Sequence, residues 1–147
     1  SKTLPKVINT TNSISSKLVT IKTGTRLPNV GHLKVTYNAA VINFDVAPRV
    51  VEGVPVTPFR HLFEHAGGQL KWSHEAKEVF AIGLGNDIFL KIGSKDAKVG
   101  SRLLTMEREA SLIGNRTVVP FSFLRDSLGV EVDYDPKSGH VLIRKAK

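Results

Sequence analysis

Apolar side chains recur along the chain at two spacings, one typical of strands and the other typical of short helices. Alternation of apolar and polar residues predicts strands at 17–22, 33–37 and 40–44, each with one face buried. After Pro58 the apolar residues follow the spacing i, i+3, i+4 and i+7, which predicts a helix that begins at Pro58 and ends at Gly67. The apolar positions of this helix are Phe59, Leu62, Phe63 and Ala66.

The pattern around this helix occurs twice. Residues about 47–84, called copy one, align without a gap on residues about 110–144, called copy two, at an offset of 62 residues. In copy two the helix is predicted to begin at Pro120 and to end at Gly129, and in both copies a hairpin follows the helix. The sequence therefore predicts an α+β fold of twisted antiparallel sheets with two short helices, built from an internal duplication. The aligned pairs are Pro58 with Pro120, Phe59 with Phe121, Leu62 with Leu124, Gly67 with Gly129, Leu70 with Val132 and Trp72 with Tyr134.

Composition narrows the classes of protein and of partner. The chain has 147 residues and no cysteine, which favours one domain and excludes disulfides, thiol catalysis and cysteine-based zinc sites. No apolar run approaches the ~20 residues of a membrane span. The net charge of +8 is uneven, because residues 1–44 carry +6, residues 144–147 carry +3 and the body between them carries −1. Basic ends argue against specific nucleic-acid binding and favour an anionic surface or acidic partner, with solubility as the alternative.

The first part of the chain differs from the rest. Residues 1–36 form a polar and basic arm rich in Ser, Thr and Asn, and residues 37–147 form the domain that contains both copies. Such a segment buries too little apolar surface to order itself, so we expect it to be held by strand addition to a sheet edge. An edge of its own chain would complete the domain, whereas an edge of a neighbour would build a homo-oligomer or a filament. The arm residues that are candidates for this interaction are Val7, Ile8, Leu18, Val19 and Ile21.

One motif matches a catalytic signature. Residues 61–65 read His-Leu-Phe-Glu-His, the inverted zinc-protease pattern, in which two histidines bind zinc and Glu64 acts as the base. Copy two has no such motif, the helix is short, and no distant third ligand is evident. A zinc hydrolase is therefore the least favoured function, and we expect no catalytic residue and no cofactor. His61 and His65, which are predicted to face outward, stay as candidates for adventitious metal binding.

Two aromatic residues occupy equivalent positions in the copies. Trp72 and Tyr134 each follow the helix on the first strand of the hairpin. Aromatic side chains on a sheet form sugar-stacking platforms, but equivalent placement in two copies favours core or hairpin packing. Both residues are kept as interaction candidates.

Several segments resemble a known family. The carrying segments are 43–48, 56–60, 114–121 and 128–135, in which a Val-x-Pro-Phe turn leads into a helix that ends in Gly and is followed by Val-x-aromatic. Over about residues 37–144 the chain resembles the copper amine oxidase N-terminal-like domain, or stalk domain, of bacterial surface proteins. This resemblance implies a twisted antiparallel sheet wrapped on a helix, an exported location and no catalytic role, since the copper of such oxidases belongs to another domain. The chain departs from the family where Ser122 stands at the position of Arg60, and no functional residue carries over.

These observations together predict a non-catalytic module, secreted or at the cell surface, with a structural or anchoring role. Self-assembly by strand addition of residues 1–36 is a specific form of that role. A carbohydrate or cell-wall binding module is the alternative, with an anionic cell-wall polymer or polysaccharide as partner.

Overall fold

A computed structural model describes residues 17–146 of the chain, so the candidates Val7 and Ile8 lie outside the described residues. Residues 17–146 contain fourteen strands and two helices. In chain order they are β1 (Val19–Thr20), β2 (Lys34–Tyr37), β3 (Ala40–Val41), β4 (Arg49–Val51), β5 (Val54–Pro58), α1 (Arg60–His65), β6 (Gln69–Ser73), β7 (Glu78–Ile82), β8 (Ile88–Lys91), β9 (Asp96–Val99), β10 (Arg102–Thr105), β11 (Ser111–Ile113), β12 (Arg116–Pro120), α2 (Phe123–Leu128), β13 (Val130–Asp135) and β14 (His140–Lys145).

The strands form three sheets around the two helices. Two sheets have five strands, in the orders β1-β13-β14-β2-β3 and β10-β9-β8-β7-β6, and one has four, in the order β11-β12-β5-β4. All strand pairs are antiparallel except β14 with β2, which run parallel. The predicted α+β class, with mostly antiparallel sheets and two short helices, is confirmed.

The two copies have the same strand pairing. In copy one Trp72 lies opposite Val79, and in copy two Tyr134 lies opposite Val141 at the same offset of 62 residues. The four-stranded sheet joins the copies through β5 and β12, where Thr57 pairs with Val119. The offset relates these two residues, so a pseudo-two-fold axis passes between them and relates β4-β5 to β11-β12.

The predicted start of each helix is wrong. Pro58 and Pro120 are the last residues of β5 and β12, and the helices begin at Arg60 and Phe123. Pro58 pairs with Val118 of β12 on one side. On the other side β4 begins at Arg49, opposite Val56, and does not extend to Pro58. The missing N–H of Pro58 therefore costs no hydrogen bond to β4. The predicted helix end at Gly129 is confirmed, because Gly129 adopts the left-handed conformation with φ 64°.

The main hydrophobic core lies between the helices and the sheets and includes the described part of the arm. Phe59, Leu62 and Phe63 of copy one and Phe121 and Leu124 of copy two are fully buried. The arm contributes further buried residues to the same cluster, because β1 pairs with β13 and β2 pairs with β14. The hairpin of copy two is therefore enclosed on both sides by the arm. The core residues that precede Tyr37 are Ile21, Leu27, Leu33 and Val35.

Candidate functional site

A basic cleft lies between the β6–β7 hairpin of copy one and the β11–β12 hairpin. Its volume is about 450 Å³, within the range of ligand sites. Arginine, lysine and histidine side chains line it together with an apolar floor, and no aspartate or glutamate lines it. The basic residues are Arg60, Lys71, His74, Lys77 and Arg116. The apolar residues are Leu70, Trp72, Val79 and Leu112, and Asn115 and Thr117 complete the lining.

The apolar floor follows from the pleat of β6. Leu70 and Trp72 are two residues apart on this strand and point to the same face, where Val79 lies opposite Trp72. Trp72 is the only tryptophan in the chain, and it is 38% exposed. Because β6 is the last strand of its sheet, no further strand within residues 17–146 pairs along this side of the cleft. The cleft therefore offers an exposed aromatic face beside positive charges.

Ion pairs fix the arginines of the cleft. Arg116 Nη2 donates to Asp45 Oδ2 at 2.6 Å, and His61 Nε2 lies 3.0 Å from Asp45 Oδ1. The hydrogen bond from Arg116, followed by the contact with His61, holds the pKa of Asp45 well below its usual range. Arg60 pairs with Glu64 at 3.1 Å along the helix.

The lysines of the cleft differ from the arginines. Among residues 17–146, no carboxylate lies within ion-pair distance of Lys71 or Lys77. These two positive charges are therefore available to an anionic ligand.

The offset of 62 residues relates this cleft to a channel that the arm fills in copy two. There, the Ile21 N–H donates to Val132 O at 2.8 Å, and Val19 pairs with Tyr134. Further along the arm, the Leu27 N–H donates to the Gly53 carbonyl at 2.9 Å, and the Val50 N–H donates to the Val30 carbonyl at 2.9 Å. The cleft is thus the counterpart, in copy one, of this arm channel. The related pairs are Leu70 with Val132, Lys71 with Asp133, Trp72 with Tyr134, Leu112 with Val50 and Asn115 with Gly53.

A buried carboxylate secures the arm in its channel. Glu107 accepts hydrogen bonds from Arg26 Nη1 at 2.7 Å, from Ser122 Oγ at 2.6 Å and from the Gly24 N–H at 3.1 Å. Burial alone would raise the pKa of Glu107, but these hydrogen bonds outweigh it and lower the pKa. The same offset relates Glu107 to Asp45, which binds Arg116 instead. Equivalent carboxylates therefore hold the arm in copy two and a residue of the cleft wall in copy one.

The two strands at these sites have opposite charge. In β13 Glu131, Asp133 and Asp135 stand where β6 has Gln69, Lys71 and Ser73. The acidic strand receives a segment that has no acidic residue, since 17–36 carries only lysine and arginine charges. Glu131 and Asp133 themselves pair with Arg144 on the neighbouring strand.

The structure separates the interaction candidates that the sequence predicts. Val19, Ile21 and Tyr134 meet where β1 pairs with β13, and Leu18 lies beside them with 38% of its surface exposed. Trp72 lies apart from them in the cleft.

The histidine motif is divided between two contacts. His61 contacts Asp45 and lies edge-on to Phe44, with ring centroids 5.5 Å apart. His65 packs on Tyr37, with ring centroids 5.1 Å apart. Within residues 17–146, no group of three His, Cys, Asp or Glu side chains is arranged to hold a metal ion. The two histidines therefore belong to different local clusters.

Sequence reasoning missed the basic residues of the cleft. The repeated body has almost no net charge, so its total charge does not reveal that four basic residues line one cleft. These residues are Arg60, Lys71, Lys77 and Arg116. A comparison of charge between aligned positions was the available signal, because Lys71 stands opposite Asp133 in the alignment.

Comparison with known proteins gives one family. Residues 36–143 match the model of the copper amine oxidase N-terminal domain. A search of curated proteins finds no match. No helix within residues 17–146 is long and apolar enough to cross a membrane.

Proposed function

Because the chain belongs to the copper amine oxidase N-terminal domain family, a non-catalytic domain, we propose that it is an anchoring module that holds an anionic partner in the basic cleft. Placement outside the cell, secreted or at the cell surface, is part of the proposal, since the stalk-type modules that the sequence resembles are exported. An anionic wall polymer is a partner of the required charge.

The observation that carries the proposal is the lining of the cleft. Five basic side chains and an exposed tryptophan line it, and no carboxylate is among the lining residues. A concave site with positive charges and an apolar floor favours an anionic ligand that also has an apolar or stacking surface. Lys71 and Lys77 have no ion-pair partner in the described part of the chain, so they are the first residues to change.

Charge reversal tests the proposal. The double variant Lys71→Glu, Lys77→Glu is compared with wild type for binding to poly-L-glutamate and to polygalacturonate, by calorimetry at low salt. For each polymer that wild type binds, we expect the double variant to raise the dissociation constant at least about tenfold. A tenfold rise corresponds to the loss of about 1.4 kcal/mol of binding free energy.

A matched control removes the effect of net charge. The variant Lys91→Glu, Lys98→Glu changes the net charge equally, on exposed residues of β8 and β9 outside the cleft lining. Equal weakening in both variants, or no binding of either polymer by wild type, contradicts binding in the cleft.

Carbohydrate binding is a second candidate, and the exposure of Trp72 in the cleft supports it. A sugar ring that stacks on Trp72 does not require negative charge. Trp72→Ala is therefore tested against a neutral glucan as well as polygalacturonate. Loss of retention on the neutral polymer in this variant supports a sugar platform, and no retention by wild type counts against it.

Self-assembly through residues 1–36 is the remaining form of the structural role. Residues 17–36 pair with their own chain, so assembly through β1 requires exchange of this strand between chains. Light scattering of the full chain over a range of concentrations tests this exchange. A monomer at every concentration contradicts a filament.

A further inference from the structure

We infer that the cleft receives an extended acidic polypeptide, which adds to the free edge of β6 as β1 adds to β13. The inference rests on the proposed function, because it names the ligand class of the same cleft. The polypeptide binds through backbone hydrogen bonds along the edge of β6, in addition to the attraction between its acidic residues and the basic residues of the cleft.

The outer edge of β6 offers backbone groups for pairing. Within residues 17–146, the backbone of β6 pairs with β7 alone, and β6 closes its five-stranded sheet. An exposed edge presents unpaired N–H and C=O groups, and a partner chain satisfies them by adding a strand. The wall of the cleft is therefore also a template for backbone hydrogen bonds.

Copy two contains the corresponding edge with a strand paired to it. Ile21 donates its N–H to Val132 O, so the backbone groups of Val132 and, two residues on, of Tyr134 face the arm. The strand registers of the two hairpins correspond, so Leu70 and Trp72 face the cleft in the same way. An added strand in copy one thus has a defined direction and register.

The floor of the cleft can accommodate an apolar side chain of the added strand. Ile21 enters the core from the arm channel and is fully buried. In copy one Leu70, Val79 and Trp72 form the floor at the corresponding place. An apolar residue of an added strand therefore has a seat there, at the alternate spacing that a strand provides.

The charges along the two strands favour an acidic partner in copy one. The basic arm lies along a strand with three acidic residues, two of which also pair with Arg144, whereas β6 carries Lys71 and the cleft adds Lys77. Like charges repel in such a pairing and opposite charges set the choice of partner. The chain's own arm is consequently disfavoured as an occupant, and an acidic strand is favoured.

A peptide derived from the arm tests the inference. The probe is a capped hexapeptide of residues 17–22 with Lys17→Glu and Lys22→Glu, and the control is the same segment with both lysines retained. Binding is followed by the fluorescence of Trp72, the only tryptophan. We expect the acidic peptide to bind at least about tenfold more tightly than the basic one, a difference of about 1.4 kcal/mol.

Backbone methylation separates strand pairing from charge attraction. In the arm, the N–H groups of Val19 and Ile21 face the receiving strand, and those of Leu18 and Thr20 face away. N-methylation of the acidic peptide at the first pair of positions is expected to weaken binding at least about tenfold, because two hydrogen bonds of about 1 kcal/mol each are lost. Methylation at the second pair is the matched control and is expected to leave most of the affinity.

The outcomes distinguish this inference from the proposed function. Equal affinity of the two methylated peptides, or binding of polygalacturonate without binding of the acidic peptide, overturns strand addition and leaves an anion-binding cleft. Failure of poly-L-glutamate, polygalacturonate and the peptide to bind wild type overturns both.

Discussion

Copy one and copy two share their strand register and differ in what lies along the first strand of each hairpin. In copy two the arm covers β13, and Glu107 holds the arm by hydrogen bonds to Arg26 and Gly24. In copy one no strand within residues 17–146 pairs with the corresponding edge of β6, and the carboxylate related to Glu107, Asp45, binds Arg116. One scaffold therefore carries a filled channel and an open cleft of opposite charge.

The difference shows which residues build the scaffold and which define its edges. Apolar residues, Gly and Pro repeat at the offset because they form the core and the turns of both copies. The charged residues of β6 and β13 do not repeat, so the two edges differ in charge while sharing one apolar pattern. Copy two therefore shows how an added strand lies along the first strand of the hairpin, and copy one can be compared with it.

The largest predicted effect comes from the residue that anchors the arm in its channel. Ile21 is fully buried, so Ile21→Ala is expected to lower the free energy of unfolding by about 2–5 kcal/mol. Leu18→Ala, in the same strand region but 38% exposed, is the control and is expected to cost much less. Urea denaturation measures both. Similar small losses for the two variants contradict the assignment of the arm to the core.

The two related carboxylates are predicted to differ. The Glu107 side chain is 6% exposed and accepts three hydrogen bonds, so Glu107→Gln is expected to cost about 1–3 kcal/mol of unfolding free energy. The Asp45 side chain is 50% exposed, and Asp45→Asn is expected to cost less. Thermal unfolding of both variants measures the comparison, and a larger loss for Asp45→Asn contradicts it.

The same contrast predicts a pH dependence. The pKa of Glu107 is lowered in the folded chain, so its contribution to stability is fully present above its ordinary value of 4.5. That contribution is lost as the pH falls through the folded-state pKa. The stability difference between wild type and Glu107→Gln is therefore expected to shrink in acid, as measured by urea denaturation between pH 3 and pH 7. A difference that stays constant over this range contradicts the role of the ionised carboxylate.

The smallest predicted effect lies on the pseudo-two-fold axis, where the copies differ by one buried hydroxyl. Thr57 Oγ1 donates to the carbonyl of the next residue, Pro58, at 3.1 Å, and Val119 occupies the related position. Thr57→Val keeps the shape and removes one local hydrogen bond, so the change is expected to stay within about 1 kcal/mol. Urea denaturation measures it, and a loss of several kcal/mol contradicts equivalent packing on the two sides of the axis.

Much of the fold follows from the sequence, because core positions obey local periodicity. The apolar stripe of α1 and the capping role of Gly129 are both read from spacing and residue type. The start of each helix does not follow, because Pro58 and Pro120 are compatible with either a helix start or the end of a strand. Only pairing across the axis, between segments far apart in the chain, decides between the two.

The cleft is less predictable than the core. Arg60, Lys71 and Arg116 come from different elements and meet only through the packing of two hairpins. The sequence predicts that the arm pairs with a sheet edge, but it does not single out β13, because β6 and β13 share one apolar pattern and differ in charge. Comparison of the copies position by position for charge, in addition to hydrophobicity, recovers that difference.

Amide hydrogen exchange on β6 shows whether a strand adds to its outer edge. With the acidic arm-derived peptide bound, we expect slower exchange at the amides of Leu70 and Trp72, which face the cleft, and little change at Lys71 between them. An added antiparallel strand produces this alternation, because every second N–H of the receiving strand faces it. Unchanged exchange at Leu70 and Trp72 under saturating peptide, or slowing without alternation along β6, contradicts the addition of a strand to β6.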